Sequence, residues 1–507
     1  MRSGDIYQSL TTTNRWWMDH KGWTSQDPDL RNASKAPFRY TAGVLTELTP
    51  GGLYVMRGPR RVGKSVEIKH TIASLLSSGV HPRRIVHMSM EGWDARHLAR
   101  FVGIAQQLTL DGPRYWFLDE ISGVVGSWPE RIKWLRDNDR RFQTDTVVLT
   151  GSSSADLREA MGVLAGRRGA VNAPDRVLLP MGFRQFASLV VEETLPHDIG
   201  PFPIADLSEH LLEATFALVP WLGILVNAWE TYLWVGGFPL AVSGYLRDRQ
   251  VDPALWAGLW EVISGDAFRK ARQSDLQTRT MLERLVRSLG SPVNVARIAR
   301  ETDVAPLTAQ QRIDNLREAF VVWTCYREEG LKPRLKAQKK IYFTDPVYGL
   351  LTPRRVDLSV LSEQQLGVAL LRSLEREKPG SYVHSDGVLY HRTKSQREID
   401  FVGPDFGGVA IESKYVDDGP WRSAEGRMFK ASPWTGIVAT RSQLDLRDNE
   451  ALAIPAGILA WLLDTQRSEE PIRSLGLPDV SRRWPGEESP FRDSIGEDPL
   501  PGLGASG

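Results

Sequence analysis

Cysteine is almost absent: Cys325 is the single one in 507 residues. That excludes an internal disulfide framework and a multi-cysteine zinc centre, and it fits a reducing, cytoplasmic compartment. Excess charge of either sign is missing as well. Lys and Arg number 63 against 62 Asp and Glu, a formal net charge of +1, so any attraction to nucleic acid or membrane has to come from a local patch. The most apolar window, Ala214 to Val226, is interrupted by Pro220 and falls short of the roughly 20 residues a membrane span needs. A buried helix pair accounts for it, and no membrane partner is expected. The first residues, Met-Arg-Ser-Gly-Asp-Ile-Tyr, carry no apolar core of a secretory signal. No repeat with a period of roughly 20–50 residues is visible, which argues against a solenoid. What remains is ordinary globular composition, 41% hydrophobic and 25% charged, on a chain long enough for about three domains.

Trp16, Trp17 and Trp23 stand among polar residues in the first 40 positions, the pattern of an arm packed on the neighbouring domain. From Leu45 onward, short apolar runs alternate with amphipathic segments, the signature of βαβ units around a parallel sheet. Residues 53–56, 85–90, 115–118 and 146–150 are predicted strands, with 177–179 a weaker fifth. Val66 to Ser78 is a predicted helix capped by Gly79. Short, continuously apolar strands of this kind are covered on both faces.

The first strand runs into Gly58-Pro59-Arg60-Arg61-Val62-Gly63-Lys64-Ser65, which matches G-x-x-x-x-G-K-[ST] at every fixed position. Such a loop wraps phosphates with main-chain N–H groups at a helix N-terminus. Lys64 is then placed for the β and γ phosphates of ATP and the Ser65 hydroxyl for Mg²⁺. Tyr115 to Leu118 ends in Asp119-Glu120. Asp119 is the expected Mg²⁺ partner and Glu120 the expected base that polarises the attacking water. A glutamate after the metal aspartate favours hydrolysis over small-molecule kinase chemistry. The strand at 146–150 leads into Gly151-Ser152-Ser153-Ser154, where Ser152 or Ser153 is a candidate γ-phosphate sensor, or alternatively a helix N-cap. Arg167, with Arg168, is a candidate for stabilising transition-state charge in cis or from a neighbouring subunit of a homo-oligomer.

These segments, together with L-L-P-M-G-F-R-Q-F and Gly236-Gly237-Phe238-Pro239, resemble in order and spacing a family of prokaryotic AAA+-like ATPases. The likeness covers about residues 40–465. It implies an α/β fold, a P-loop NTPase (AAA+-like) parallel sheet core followed by a helical segment, a winged helix and an α/β nuclease-like domain. The expected boundaries are an arm at 1–40, the ATPase domain at 41–195, a helical lid at 196–288, the winged helix at 289–352, the nuclease-like domain at 353–466 and an acidic, disordered tail at 467–507.

In the winged-helix segment, 308–320 takes the recognition position. Thr308, Gln310, Gln311, Arg312 and Asn315 are its polar candidates for base edges or phosphates. Arg327 to Lys340 carries six basic and two acidic residues, and Lys332, Arg334, Lys336, Lys339 and Lys340 are expected to line a wing suited to phosphate contacts. Asp314, Arg317 and Glu318 leave the helix itself nearly neutral, so a protein-docking or lid role stands beside DNA binding.

Farther on, Glu398-Ile399-Asp400 and Glu412-Ser413-Lys414 fall on two strands of a hairpin, 397–416. Residues two apart share a strand face, so Asp400, Glu412 and Lys414 are expected together. The carboxylates would hold Mg²⁺ or Mn²⁺ and the metal would activate water, with Lys414 stabilising charge. The alternative is a solvated hairpin with cross-strand Glu–Lys pairing. The pattern resembles a PD-(D/E)xK nuclease core, which implies Glu363 as an additional helical acid. The usual proline before the aspartate is replaced by Ile399. The functional expectation is an ATP-hydrolysing switch or motor coupled to a nuclease-like module on DNA; the alternative is a regulatory ATPase with a catalytically silent nuclease fold.

Overall fold

The computed structural model describes residues 2–151, 154–171, 173–267, 275–352, 356–384, 386–393, 397–416, 427–430, 432–447, 451–465 and 472–473. Ser152, Ser153 and nearly all of the expected acidic tail lie outside these residues. The chain forms two compact units, the first ending at Leu178 and the second beginning at Leu179.

In the first unit, helix α1 (Ser3–Thr13) precedes five parallel strands: β1 (Leu53–Arg57), β2 (Ile85–Ser89), β3 (Tyr115–Asp119), β4 (Thr146–Gly151) and β5 (Asp175–Val177). Their order across the sheet is β2-β3-β4-β1-β5. Helices α2 (Lys64–Ser77), α3 (Leu98–Leu108), α4 (Trp128–Asn138) and α5 (Ser154–Val163) connect them. Every residue of β1 and β4 is buried, as continuous apolar runs require in a sheet covered on both faces.

The edge strand β2 is covered by the arm. Trp16 and Trp17 donate their indole N–H to the Ile85 carbonyl at 3.1 and 2.8 Å. The Asn14 amide accepts from His87 N–H at 2.7 Å and donates to the His87 carbonyl at 3.0 Å. Side chains thus satisfy backbone groups that an open edge would expose to another chain. Trp16 and Trp23 pack edge to face at 5.0 Å.

The second unit opens with α6 (Phe183–Val190), α7 (Leu207–Leu218), α8 (Leu222–Val235), α9 (Pro239–Asp248), α10 (Pro253–Glu261) and α11 (Asp275–Ser288). There follow β6 (Pro292–Val293), α12 (Val295–Glu301), α13 (Pro306–Glu318), β7 (Val322–Arg327), β8 (Lys339–Phe343) and the long α14 (Leu358–Glu377). The chain continues through β9 (Leu389–Arg392), β10 (Glu398–Val402), β11 (Val409–Lys414), β12 (Thr435–Thr440), β13 (Ala451–Pro455) and α15 (Ala456–Leu463). All eight strands join one sheet in the order β13-β12-β11-β10-β9-β7-β8-β6. The segments assigned above to a winged helix and to a nuclease-like domain therefore share a sheet through the parallel β7–β9 pair.

The segment Pro180 to Phe186 belongs to this second unit for a physical reason. The Tyr232 hydroxyl donates to the Met181 carbonyl at 2.9 Å, and the Gly237 carbonyl accepts from Met181 N–H at 2.8 Å. Asp464 caps α6 through Phe183 N–H at 2.8 Å and pairs with the fully buried Arg372 at 2.5 and 2.8 Å. Asp345 holds Gly237 N–H at 2.8 Å. The Gly-Gly-x-Pro motif is thus a packing junction.

The apolar window is longer than its sequence implies. Helical structure runs from Ile204 to Val235, 32 residues, long and apolar enough by length and composition to cross a membrane. Pro220 does not end it, because it sits in the first turn of a short 3-10 segment, Val219–Trp221, where its missing N–H costs nothing. Leu225, Trp229 and Tyr232 of this run are fully buried.

Candidate nucleotide-binding site

Strand β1 delivers the chain into the loop at the middle of the parallel sheet. A Cβ at Gly58 would overlap the Leu178 carbonyl oxygen, and Gly63 has φ +105°, a left-handed conformation natural only to glycine. Arg60 and Arg61 are exposed, whereas Val62 is buried and anchors the loop. Helix α2 starts at Lys64, so its N-terminal N–H groups face the loop. The Lys64 ammonium is drawn inward, donating to the carbonyls of Gly58 and Pro59 at 3.1 and 3.0 Å.

Strand β3 places Asp119 beside this helix. The Ser65 hydroxyl donates to Asp119 Oδ2 at 2.8 Å, and the Thr150 hydroxyl donates to Asp119 Oδ1. Glu120 N–H donates to Asp119 Oδ1 at 3.1 Å and to Thr150 Oγ1 at 3.3 Å. Glu120 itself has φ +51°, a strained setting for a non-glycine residue of the sort that gathers at functional sites. Ser65 and Asp119 supply the hard oxygen donors that Mg²⁺ prefers, and these residues fit that ion. Behind them, the buried pair Lys69–Asp27 closes at 2.9 Å. Burial, reinforced by Lys69, pushes the His87 imidazole down to about 3, which keeps it neutral beside the Lys69 ammonium.

Residues 51–187 match a family model described as an AAA domain. The match supports a P-loop NTPase core with a parallel sheet in the first unit, of the AAA type. Residues 226–352 match a second model, described as a domain of unknown function (DUF8612). Among curated proteins, none matches the chain. Similar solved structures include the Walker-type ATPase PABY2304 of Pyrococcus abyssi, 13% identical, covering 66% of this chain and 95% of that one at a TM-score of 0.35. A Thermotoga maritima RuvB variant is 15% identical, covering 61% and 90% at 0.23. Cdc6p from Pyrobaculum aerophilum is 12% identical, covering 62% and 88% at 0.21. TM-scores this low add nothing to the family match.

Within the ATPase domain, the structure brings Lys64, Ser65, Asp119 and Glu120 into one constellation and adds Thr150, which the sequence pattern did not single out. The signal lies in strand pairing: Leu118 faces Leu149 in the β3–β4 register, so the next residues, Asp119 and Thr150, fall side by side. Thr150→Val keeps the shape and removes the hydroxyl. A hydrogen bond to a charged group contributes about 1.5–3 kcal/mol, so the variant is expected to hydrolyse ATP roughly ten- to a hundredfold more slowly with little change in ATP affinity. Steady-state phosphate release checks this, and an unchanged rate would remove Thr150 from the site. Arg167 is held by Asp137 of α4 at 3.0 Å on the surface, and Arg168 by Asp175 at 3.4 Å.

In the second unit, β10 and β11 pair antiparallel with Phe401 opposite Ile411. Asp400 N–H donates to Glu412 Oε2 at 3.1 Å, Ser413 N–H donates to Asp400 Oδ2 at 2.9 Å, and Lys414 pairs with Glu412 at 3.0 Å. Glu363 of α14 joins them, but through a cation from β8. The ammonium of Lys340, with no exposure, lies 3.0 Å from Glu363, 2.6 Å from Glu398 and 2.7 Å from Asp400. Lys340 was expected on the wing surface; strand alternation turns it inward beside its outward neighbour Lys339. Burial works against the Asp400 carboxylate, yet Lys340 and Ser413 N–H hold it below the ordinary range. Burial and Asp400 push Glu363 up to about 7 and Glu412 well above the usual carboxylate range. Among the described residues, no group of three or more His, Cys, Asp or Glu is arranged to hold a metal. With Asp400 and Glu412 committed to internal partners, this donor set does not fit a divalent ion.

Proposed function

We propose that this protein is an ATP-hydrolysing switch whose nucleotide state is passed to a DNA-binding second unit of nuclease-like fold. The observation that carries the reading is the Ser65–Asp119–Thr150–Glu120 network beside Lys64. Lys64 exchanges the Gly58 and Pro59 carbonyls for the β and γ phosphates, and Ser65 and Asp119 hold Mg²⁺. That ion, when bound, neutralises phosphate charge. Thr150 fixes the Asp119 carboxylate, and Glu120 takes a proton from water in line with the γ-phosphate. Arg167 serves a neighbouring copy in a homo-oligomer, after release from Asp137. Ser152 stays a candidate sensor.

DNA contact is supported by the order β6-α12-α13-β7-β8, which matches a winged helix, and by Lys332, Arg334 and Lys336, all exposed on the wing. Beside them a groove of about 340 Å³ is lined by Asn294, Gln310, Thr324, Lys336 and Lys339. Arg312 is not available to bases: it is buried, with 5% exposure, because it shares the inward face of α13 with Ala309 and Leu316. ATP turnover measured with and without duplex DNA tests the coupling, and turnover indifferent to saturating DNA would contradict it. The buried position of Lys340 favours a second reading, a regulatory ATPase whose nuclease-like fold does not cut.

A further inference from the structure

The acids at 363, 398 and 400 surround a side chain that a surface wing has no reason to bury. An ammonium has three N–H donors, and three carboxylates lie within 3.0 Å of this one. Its backbone is fixed on both sides, since Lys340 of β8 faces Cys325 of β7 and Pro292 of β6. The side chain has no exposure, so it cannot reach solvent without moving the strand. The surrounding oxygens are arranged for it: Asp400 presents Oδ1 to Lys340 and Oδ2 to Ser413 N–H. Glu363 Oε1 accepts from both Lys340 and the Tyr342 hydroxyl. Glu412 instead accepts from Asp400 N–H and pairs with Lys414.

We propose that Lys340 is the resident cation of this cluster, standing where a divalent metal would sit and tying the return strand of the wing to α14 and the β10–β11 hairpin. The proposal rests on the reading of a regulatory ATPase whose nuclease-like fold does not cut. It adds that the cluster is a latent metal site, closed in the native chain by its own ammonium. Three carboxylates meet at Lys340, and hard oxygen ligands suit Mn²⁺; what excludes the ion is a fixed positive charge at the centre. Removing the charge while keeping the apolar stem takes from Glu363, Glu398 and Asp400 the cation they share, leaving Glu363 with the Tyr342 hydroxyl, Asp400 with Ser413 N–H and Glu398 with Arg392, and under-compensated carboxylates favour an available cation.

The test is calorimetric titration of Mn²⁺ into the full chain, for the native sequence and for Asp400→Asn, Lys340→Met and the Lys340→Met/Asp400→Asn double variant. Uptake at Ser65 and Asp119 is common to all four and cancels in the comparison. The native chain is expected to show no Mn²⁺ binding that Asp400→Asn removes. Lys340→Met is expected to gain one further Mn²⁺ site absent from the native chain, and the double variant to lose it. Asp400-dependent Mn²⁺ binding by the native chain would overturn the proposal, and so would a folded Lys340→Met that gains none. If Lys340→Met does not fold, the comparison of the native chain with Asp400→Asn still decides. ATP turnover is not read in any arm, so failure here leaves the ATP-hydrolysing reading standing, and DNA cleavage by the native chain, a separate measurement, is what would remove the non-cutting reading.

Discussion

Lys64→Ala is expected to lose ATP binding by about a hundredfold or more. The ammonium is buried and donates to two loop carbonyls at 3.1 and 3.0 Å, so it is already positioned at the loop when phosphate arrives. Truncating one partner of a desolvated, hydrogen-bonded charge pair costs about 2–5 kcal/mol, and here the loss falls on the phosphates. Alanine is a good helix former, so α2 survives the change. Fluorescent-nucleotide titration of the two proteins measures the effect; equal affinity would refute the assignment of the loop.

Glu120→Gln separates binding from chemistry. The Mg²⁺ partners Ser65 and Asp119 stay joined at 2.8 Å, and the backbone N–H of residue 120 still reaches Asp119 and Thr150. Affinity for ATP is therefore expected to change little. The amide cannot accept the proton of the attacking water, and a positioned general base contributes about 10²–10⁴-fold, so turnover should fall by that order. A large loss of ATP affinity in this variant would show that Glu120 serves binding, not proton transfer.

The loop and Asp119-Glu120 were legible because their chemistry is written in consecutive residues, each following a strand. Thr150 was not, because its relation to Asp119 is made by pairing between strands 31 positions apart. Lys339 and Lys340 look alike in a basic run, yet a strand must send neighbours to opposite faces; one of the pair had to turn inward, and the sequence alone does not say which. Arg312 was misjudged for the related reason that the inward stripe of a short amphipathic helix can include a charged residue. Asp400, Glu412 and Lys414 were brought together by their hairpin spacing, but the cation that ties Asp400 to Glu363 comes from β8, about 60 positions before Asp400. Pro220 marks the 3-10 turn that joins the expected helix pair, α7 and α8, because proline is tolerated in a first turn and disruptive elsewhere. In the arm, the tryptophans announced packing; the edge strand they cover could be known only from the strand order.

The most direct test of the ATPase site is phosphate release from ATP by the native chain across a Mg²⁺ titration, run beside Glu120→Gln with ATP binding confirmed in both. The expected result is hydrolysis by the native protein that requires Mg²⁺ and nearly vanishes in the variant. Native protein that binds ATP but releases no phosphate at any Mg²⁺ concentration, or that releases it no faster than Glu120→Gln does, would contradict the site built on Ser65, Asp119, Glu120 and Thr150.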